Sequence, residues 1–197
     1  MAAEPFNKKY FVSDNPADQA DIIRHDKSAR GLSGGAQNGG MSHVQRVHLS
    51  VGQYYFRFCD TGRFNSDWKN AASGPWWADY EVFIKVKQAA RRRGTIQDYA
   101  NKVRSSRLAY AAKLFFAIPY EWGDCGSLVI ARLKVRLDAY KGHGLPAYLG
   151  AADPRDGGAK YVPIQDPTIS QLYIPGLHGH FDEVFTLFQL GATASFD

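Results

Sequence analysis

An α+β domain is the expectation from this sequence, on three observations. Strand-like and helix-like patterns follow one another as β-β-α-α-β-β-β, without the regular βαβ alternation of a doubly wound fold. Aromatic residues crowd the strand-like segments and make up 14% of the chain. The length of 197 residues, with 45% hydrophobic and 22% charged residues, suits one domain with a substantial core. The expected architecture has mixed, mainly antiparallel sheets, with two packed helices between the second and third strands.

The elements follow in order. Residues 1–42 are expected to form a flexible arm, because Gly31-Leu-Ser-Gly-Gly-Ala-Gln-Asn-Gly-Gly40 has the composition of a linker. One globular domain then fills residues 43–197. His43–Ser50 alternates and predicts a strand; Gln53–Cys59 is rich in aromatics and predicts a second. Asp60–Pro75, rich in Gly, Ser and Asn, is expected to be a loop. A helix should open at Trp77 or Asp79 and run to about Arg93, with Tyr80, Phe83, Ile84 and Val86 as its apolar stripe. Thr95 is a suitable N-cap for a second helix, which Pro119 stops after Ile118. Leu128–Leu137 alternates from Ile130 with Arg132, Lys134 and Arg136 on one side, the pattern of a half-buried strand. Gly142–Gly158 should be a loop, and Ser170–Pro175 and Glu183–Leu190 the last two strands.

Composition narrows the function classes. No apolar run approaches the roughly 20 residues of a membrane helix, since Leu108–Ile118 is interrupted by Lys113. No membrane span is expected, and no basic-then-apolar secretory signal opens the sequence. The expected location is cytoplasmic, or that of an effector delivered without such a signal. Cys59 and Cys125 are too few and too far apart for a thiolate zinc site. Rossmann, P-loop, GxSxG and HExxH motifs are absent. His178-Gly-His180 is either an exposed loop pair or half of a metal site that lacks a third ligand, so no metal is assigned. The formal charge of +5 is uneven: residues 1–42 are neutral, residues 43–141 carry 17 basic against 8 acidic groups, and residues 142–197 carry 2 against 6. A basic middle beside an acidic tail suits a compact anionic ligand better than a uniformly coated nucleic acid.

Three clusters carry the chemistry. Arg57 stands inside the aromatic strand Tyr55-Phe-Arg-Phe-Cys59. A half-buried guanidinium there needs a carboxylate, a phosphate or several carbonyls, so it is either a ligand anchor or part of an ion pair with Asp60 or Asp138. Trp76 and Trp77 follow Gly-Pro and cannot both enter one core. One should reach a surface or cleft wall and stack on a ring, unless it staples a helix entry. Gln171 opens the strand that Pro175 ends, as a cleft amide or an edge residue. Arg91-Arg92-Arg93 forms a phosphate-binding patch with Lys85, Lys87, Lys102, Arg104, Arg107 and Lys113, or a solvated helix face.

Together the clusters resemble the ADP-ribosyltransferase superfamily, in its pertussis-like and pierisin-like branch. Phe56-Arg57-Phe58-Cys59-Asp60-Thr61-Gly62-Arg63 is similar to that branch's Tyr-Arg-x-Asp-x-Arg, with one extra residue before the second Arg. Ser105-Ser106 stands for the family's Ser-Thr-Ser segment, within a predicted helix. Gln171-Leu-Tyr-Ile-Pro175 has the shape of the last motif with Gln in place of Glu, and Phe181-Asp-Glu183-Val-Phe keeps an intact Glu. The resemblance implies an ADP-ribosyltransferase-like fold and NAD as substrate, bound by Arg57 and Arg63, with Tyr55, Trp76 or Trp77 stacking on nicotinamide and Ser106 beside them. The carboxylate that stabilises an oxocarbenium-like ribose would be Glu183, then Glu121, with Gln171 the alternative. The implied activity is transfer or hydrolysis of ADP-ribose by an effector or toxin-like protein, acting on a protein or nucleic-acid target. A non-enzymatic nucleic-acid-binding protein and a protein-interaction module or structural subunit are the competing expectations.

Overall fold

The computed structural model describes residues 4–11, 39–92, 106–119, 122–148, 161–162, 166 and 168–197. Its architecture is α+β, built on one seven-stranded sheet in which every described pairing is antiparallel. The strands are β1 (Met41–Leu49), β2 (Tyr54–Cys59), β3 (Trp76–Asp79), β4 (Ser127–Leu133), β5 (Leu137–Gly144), β8 (Ser170–Tyr173) and β9 (Phe185–Ala192). They lie in the order β1-β5-β8-β3-β2-β4-β9. Two further strands, β6 (Ala147–Tyr148) and β7 (Tyr161–Val162), pair with each other. Five helices are described: α1 (Thr61–Ser66), α2 (Trp68–Ala72), α3 (Tyr80–Arg92), α4 (Arg107–Phe116) and α5 (Phe181–Val184). None of the described helices is long and apolar enough to cross a membrane.

Several expectations need correction. The two packed helices α3 and α4 fall between the third and fourth strands, not the second and third. Trp76–Asp79, expected at a helix entry, forms a strand instead because it is paired on both sides, with Tyr55 and Phe56 of β2 and with Leu172 and Tyr173 of β8. Such flanking partners override local propensity. The expected loop 60–75 contains α1 and α2, whose N-caps Asp60 and Asp67 accept from the N–H groups of Arg63 (3.1 Å) and Asn70 (3.1 Å). The strand expected over 128–137 stops at Leu133, and Leu137–Gly144 is a separate strand paired with β1 and β8. The second helix is described from Arg107, with Ser106 as N-cap; residues 93–105, including Thr95, lie outside the described residues.

Alternation on the central strands builds a core on each face. Phe56, Leu128 and Ile130 meet Val82, Phe83 and Val86 of α3 and Leu108, Ala112 and Phe115 of α4. Burying a side chain such as Phe56, 1% exposed, is worth about 1.5–3 kcal/mol. On the other face Tyr55, Trp77, Val129, Ala131 and Leu172 pack with Phe181 and Phe185. Because β4 contributes to both cores, it is buried on both faces and is not the half-buried strand that its Arg-Lys-Arg alternation suggests. The segment Glu4–Phe11, within the expected arm, docks on the sheet: Asn7 is fully buried and Phe11 packs on Tyr140. The Gly-rich stretch 31–38 lies outside the described residues.

Candidate ligand cleft

The site begins where the central sheet divides. β2 and β3 pair only at Tyr55–Asp79 and Phe56–Ala78. Beyond Phe56, β2 continues along β4 as far as Cys59, while Trp77 and Trp76 stay with β8. A cleft of about 590 Å³ opens along this parting. Phe58, Phe116 and Trp122 supply aromatic walls, and Gly39, Gly40 and Leu145 border it. Polar groups come from Arg57, Asp60, Arg63, Asn70, Gln171 and His178.

Arg57 bridges the parting and is half-buried. Its Nε–H donates to the carbonyl of Ala71 (2.9 Å) and an Nη1–H to the carbonyl of Trp76 (2.7 Å). Among the described residues it forms no ion pair. The two aspartates that could have paired with it are engaged elsewhere. Asp60 caps α1 and touches the Asp124 N–H (3.4 Å), and Asp138 holds Arg46 and His48. Carbonyls orient a guanidinium without neutralising it, so a full positive charge borders the cleft.

Gly74 makes this placement possible. A Cβ there would stand 2.2 Å from Arg57 Nη2 and 2.5 Å from its Cζ. Gly74→Ala is therefore expected to push the guanidinium out of its carbonyl cradle and cost about 1–3 kcal/mol of stability, read as a lower urea midpoint. An unchanged midpoint would mean that the guanidinium does not occupy the position described.

The tryptophans divide as a strand dictates. Trp77 is 3% exposed, stacks on Phe185 at 4.6 Å and donates its indole N–H to the Gly74 carbonyl. Trp76 turns to the opposite face, is half-buried and meets Tyr173 edge-on at 5.1 Å. Both border the cleft. Gln171, 8% exposed, reaches the cleft from β8, and its amide points at the Phe116 carbonyl at 3.5 Å. Two thiols, Cys59 and Cys125, also lie on the cleft wall. Burial pushes both thiols up, with neighbouring Asp124 adding to the effect at Cys125, so neither is poised as a nucleophile.

Of the residues chosen from sequence, the cleft gathers Arg57, Arg63, Trp76, Trp77 and Gln171. Three others lie apart. Glu183 is exposed on α5 and accepts from His180 Nδ1 (2.7 Å). Tyr55 is buried in the core opposite α3 and α4, where its hydroxyl accepts from the Ser50 N–H (3.2 Å) and burial raises its pKa. Ser106 caps α4 and shares a hydrogen bond with Thr193 (2.6 Å). Glu121 lies outside the described residues. Sequence reasoning missed Asp60, Asn70 and His178 as cleft residues, and Phe116 and Trp122 as its walls. Asp60 carried a usable signal, an N-cap residue directly after the Arg57 strand; the rest arrive from distant elements.

The basic surface is less continuous than the sequence suggests. Lys85, Arg91 and Arg92 are exposed on α3, but Lys87 lies over the rings of Phe83 and Phe196, and Lys113 is buried. Arg93, Lys102 and Arg104 lie outside the described residues. Among the described residues no group of three or more His, Cys, Asp or Glu gathers as for a metal ion. Compared with protein-family models, curated proteins and solved structures, the chain matches none, so the functional reading rests on the cleft.

Proposed function

We propose that the cleft binds NAD and that the domain transfers or hydrolyses its ADP-ribose. One observation carries this reading: a half-buried Arg57, held by carbonyls and without a carboxylate partner among the described residues, at a parting of strands with aromatic walls. An oriented guanidinium suits pyrophosphate oxygens, with Arg63 beside it. Trp76, Phe116 and Trp122 offer faces or edges to nicotinamide and adenine. The cleft's volume lies within the usual range of small-molecule sites.

In the reaction the ribose–nicotinamide C–N bond breaks, and its electron pair leaves with nicotinamide. Water or an acceptor group on a target then adds to the ribose carbon and releases a proton. The developing positive charge on the ribose needs a nearby anion or dipole. Asp60 is the carboxylate that the described cleft provides, and the Gln171 amide on the cleft wall supplies a hydrogen-bonding group for a ribose hydroxyl. Glu183 is assigned no role, since it does not border the cleft.

Calorimetry with NAD, followed by chromatography of released nicotinamide, tests the reading. Saturable binding and accumulating nicotinamide are expected. Absence of NAD binding would overturn it, and binding without nicotinamide release would remove the transferase and hydrolase part.

A further inference from the structure

We propose that the segment Glu4–Phe11 is a clasp that positions the His178 loop at the cleft, making Tyr10 and Asn7 positioning residues of a site that neither touches. The choice of NAD as probe rests on the function proposed above.

The loop Ile174–His180 follows β8 and carries His178 to the cleft mouth. Its ends are tied: the Ile174 N–H donates to the Pro75 carbonyl (2.8 Å), and the His180 carbonyl accepts from the Val184 N–H (3.2 Å). Between them Gly176 and Gly179 have φ of +81° and +78°, in the left-handed region that glycine enters at little cost. Two such glycines around an exposed histidine give a segment with low intrinsic stiffness.

Beside the buried Leu177 and the turn bond from the His180 N–H to the Leu177 carbonyl (2.9 Å), the clasp restrains the loop at three points. Asn7 Nδ2 donates to the carbonyl of Pro175 (3.0 Å) and to that of Asp138 (2.8 Å), while its Oδ1 accepts from the Asp138 N–H (2.9 Å). One buried amide thus joins the loop to β5. The Tyr10 ring lies on Gly176 so closely that a Cβ there would stand 2.2 Å from its Cε2. Phe6 meets the His180 ring edge-on at 5.4 Å. These contacts sit just before and just after His178, so they fix the backbone that aims it.

The full chain, its Tyr10→Ala variant and its Tyr10→Phe variant separate this role from general stability. Tyr10→Ala is expected to speed amide exchange of residues 177–180 by about tenfold, with exchange in β4 unchanged. It is also expected to weaken NAD binding by about three- to tenfold. Tyr10→Phe keeps the ring and should leave both readouts at wild-type values. Unchanged exchange at 177–180 in Tyr10→Ala would overturn the clasp, and so would faster exchange with unaltered NAD affinity. If the wild-type chain binds no NAD, the dinucleotide reading falls and the exchange measurement alone decides whether the clasp exists.

Discussion

Replacing Arg57 with alanine is expected to weaken NAD binding by about 10–100-fold, the worth of a charge-assisted hydrogen bond or two. The side chain has two roles in this geometry. Its carbonyl bonds close the gap left by β2 and β3, and the guanidinium borders the cleft. Arg57→Lys is expected to fail nearly as badly, because one ammonium cannot span the carbonyls of Ala71 and Trp76 as the planar fork does. Arg63→Ala should cost less, since Arg63 is exposed and its place on α1 leaves it solvated. The measurement is calorimetric affinity, with circular dichroism as a check on the fold. An Arg57→Ala protein that folds and binds NAD as the wild type does would remove the guanidinium from the ligand site.

The second large effect lies away from the cleft. Asp138 on β5 is fully buried, with Oδ2 accepting from Arg46 Nε (2.9 Å) and Oδ1 from His48 Nδ1 (2.5 Å). Arg46 in turn covers the Phe11 ring at 4.7 Å. Asp138→Ala removes a buried counter-charge from Arg46, whose side chain is 22% exposed and so only partly solvated. Breaking a buried pair from one side costs about 3–5 kcal/mol. The exposed fraction of Arg46 favours the lower end, about 3 kcal/mol, or a fall in Tm of roughly 6–12 °C for a domain of this size. His48→Ala should cost under about 1 kcal/mol, because that imidazole is largely in water. Urea titrations of Arg46→Ala, Asp138→Ala and the double variant give the coupling directly. Additive losses would show that the pair contributes nothing beyond its separate parts.

The residues explain why some of this was legible in the sequence and some was not. Tyr54–Cys59 announces itself as a strand by aromatic content, and it is one. The demand placed on Arg57 named carbonyls as one of three solutions, and carbonyls are what it meets. The divergence of Trp76 and Trp77 followed from adjacency alone, since neighbours on a strand face opposite sides. By contrast, β3 has four residues and no periodicity of its own; its strand character comes from partners about 20 and 95 residues away. The turn at Lys134–Arg136 contains no Gly or Pro, so an uninterrupted alternation concealed it. Glu183 matched a motif in one dimension, whereas α5 directs it to His180. His178 and Trp122 reach the cleft through loops, for which spacing in the sequence carries no distance information.

The four-residue strand β3 also sets a kinetic problem. It joins one half-sheet, β1-β5-β8, to another, β2-β4-β9, and only β2 and β3 among the described neighbours in the sheet are also consecutive in the chain. Most pairings therefore close long loops before they yield contact energy, the condition for folding on a scale of milliseconds to seconds. The parting that Arg57 bridges exists only once Trp76–Asp79 has docked on both half-sheets. Whatever slows the docking of this one strand therefore delays the cleft as well.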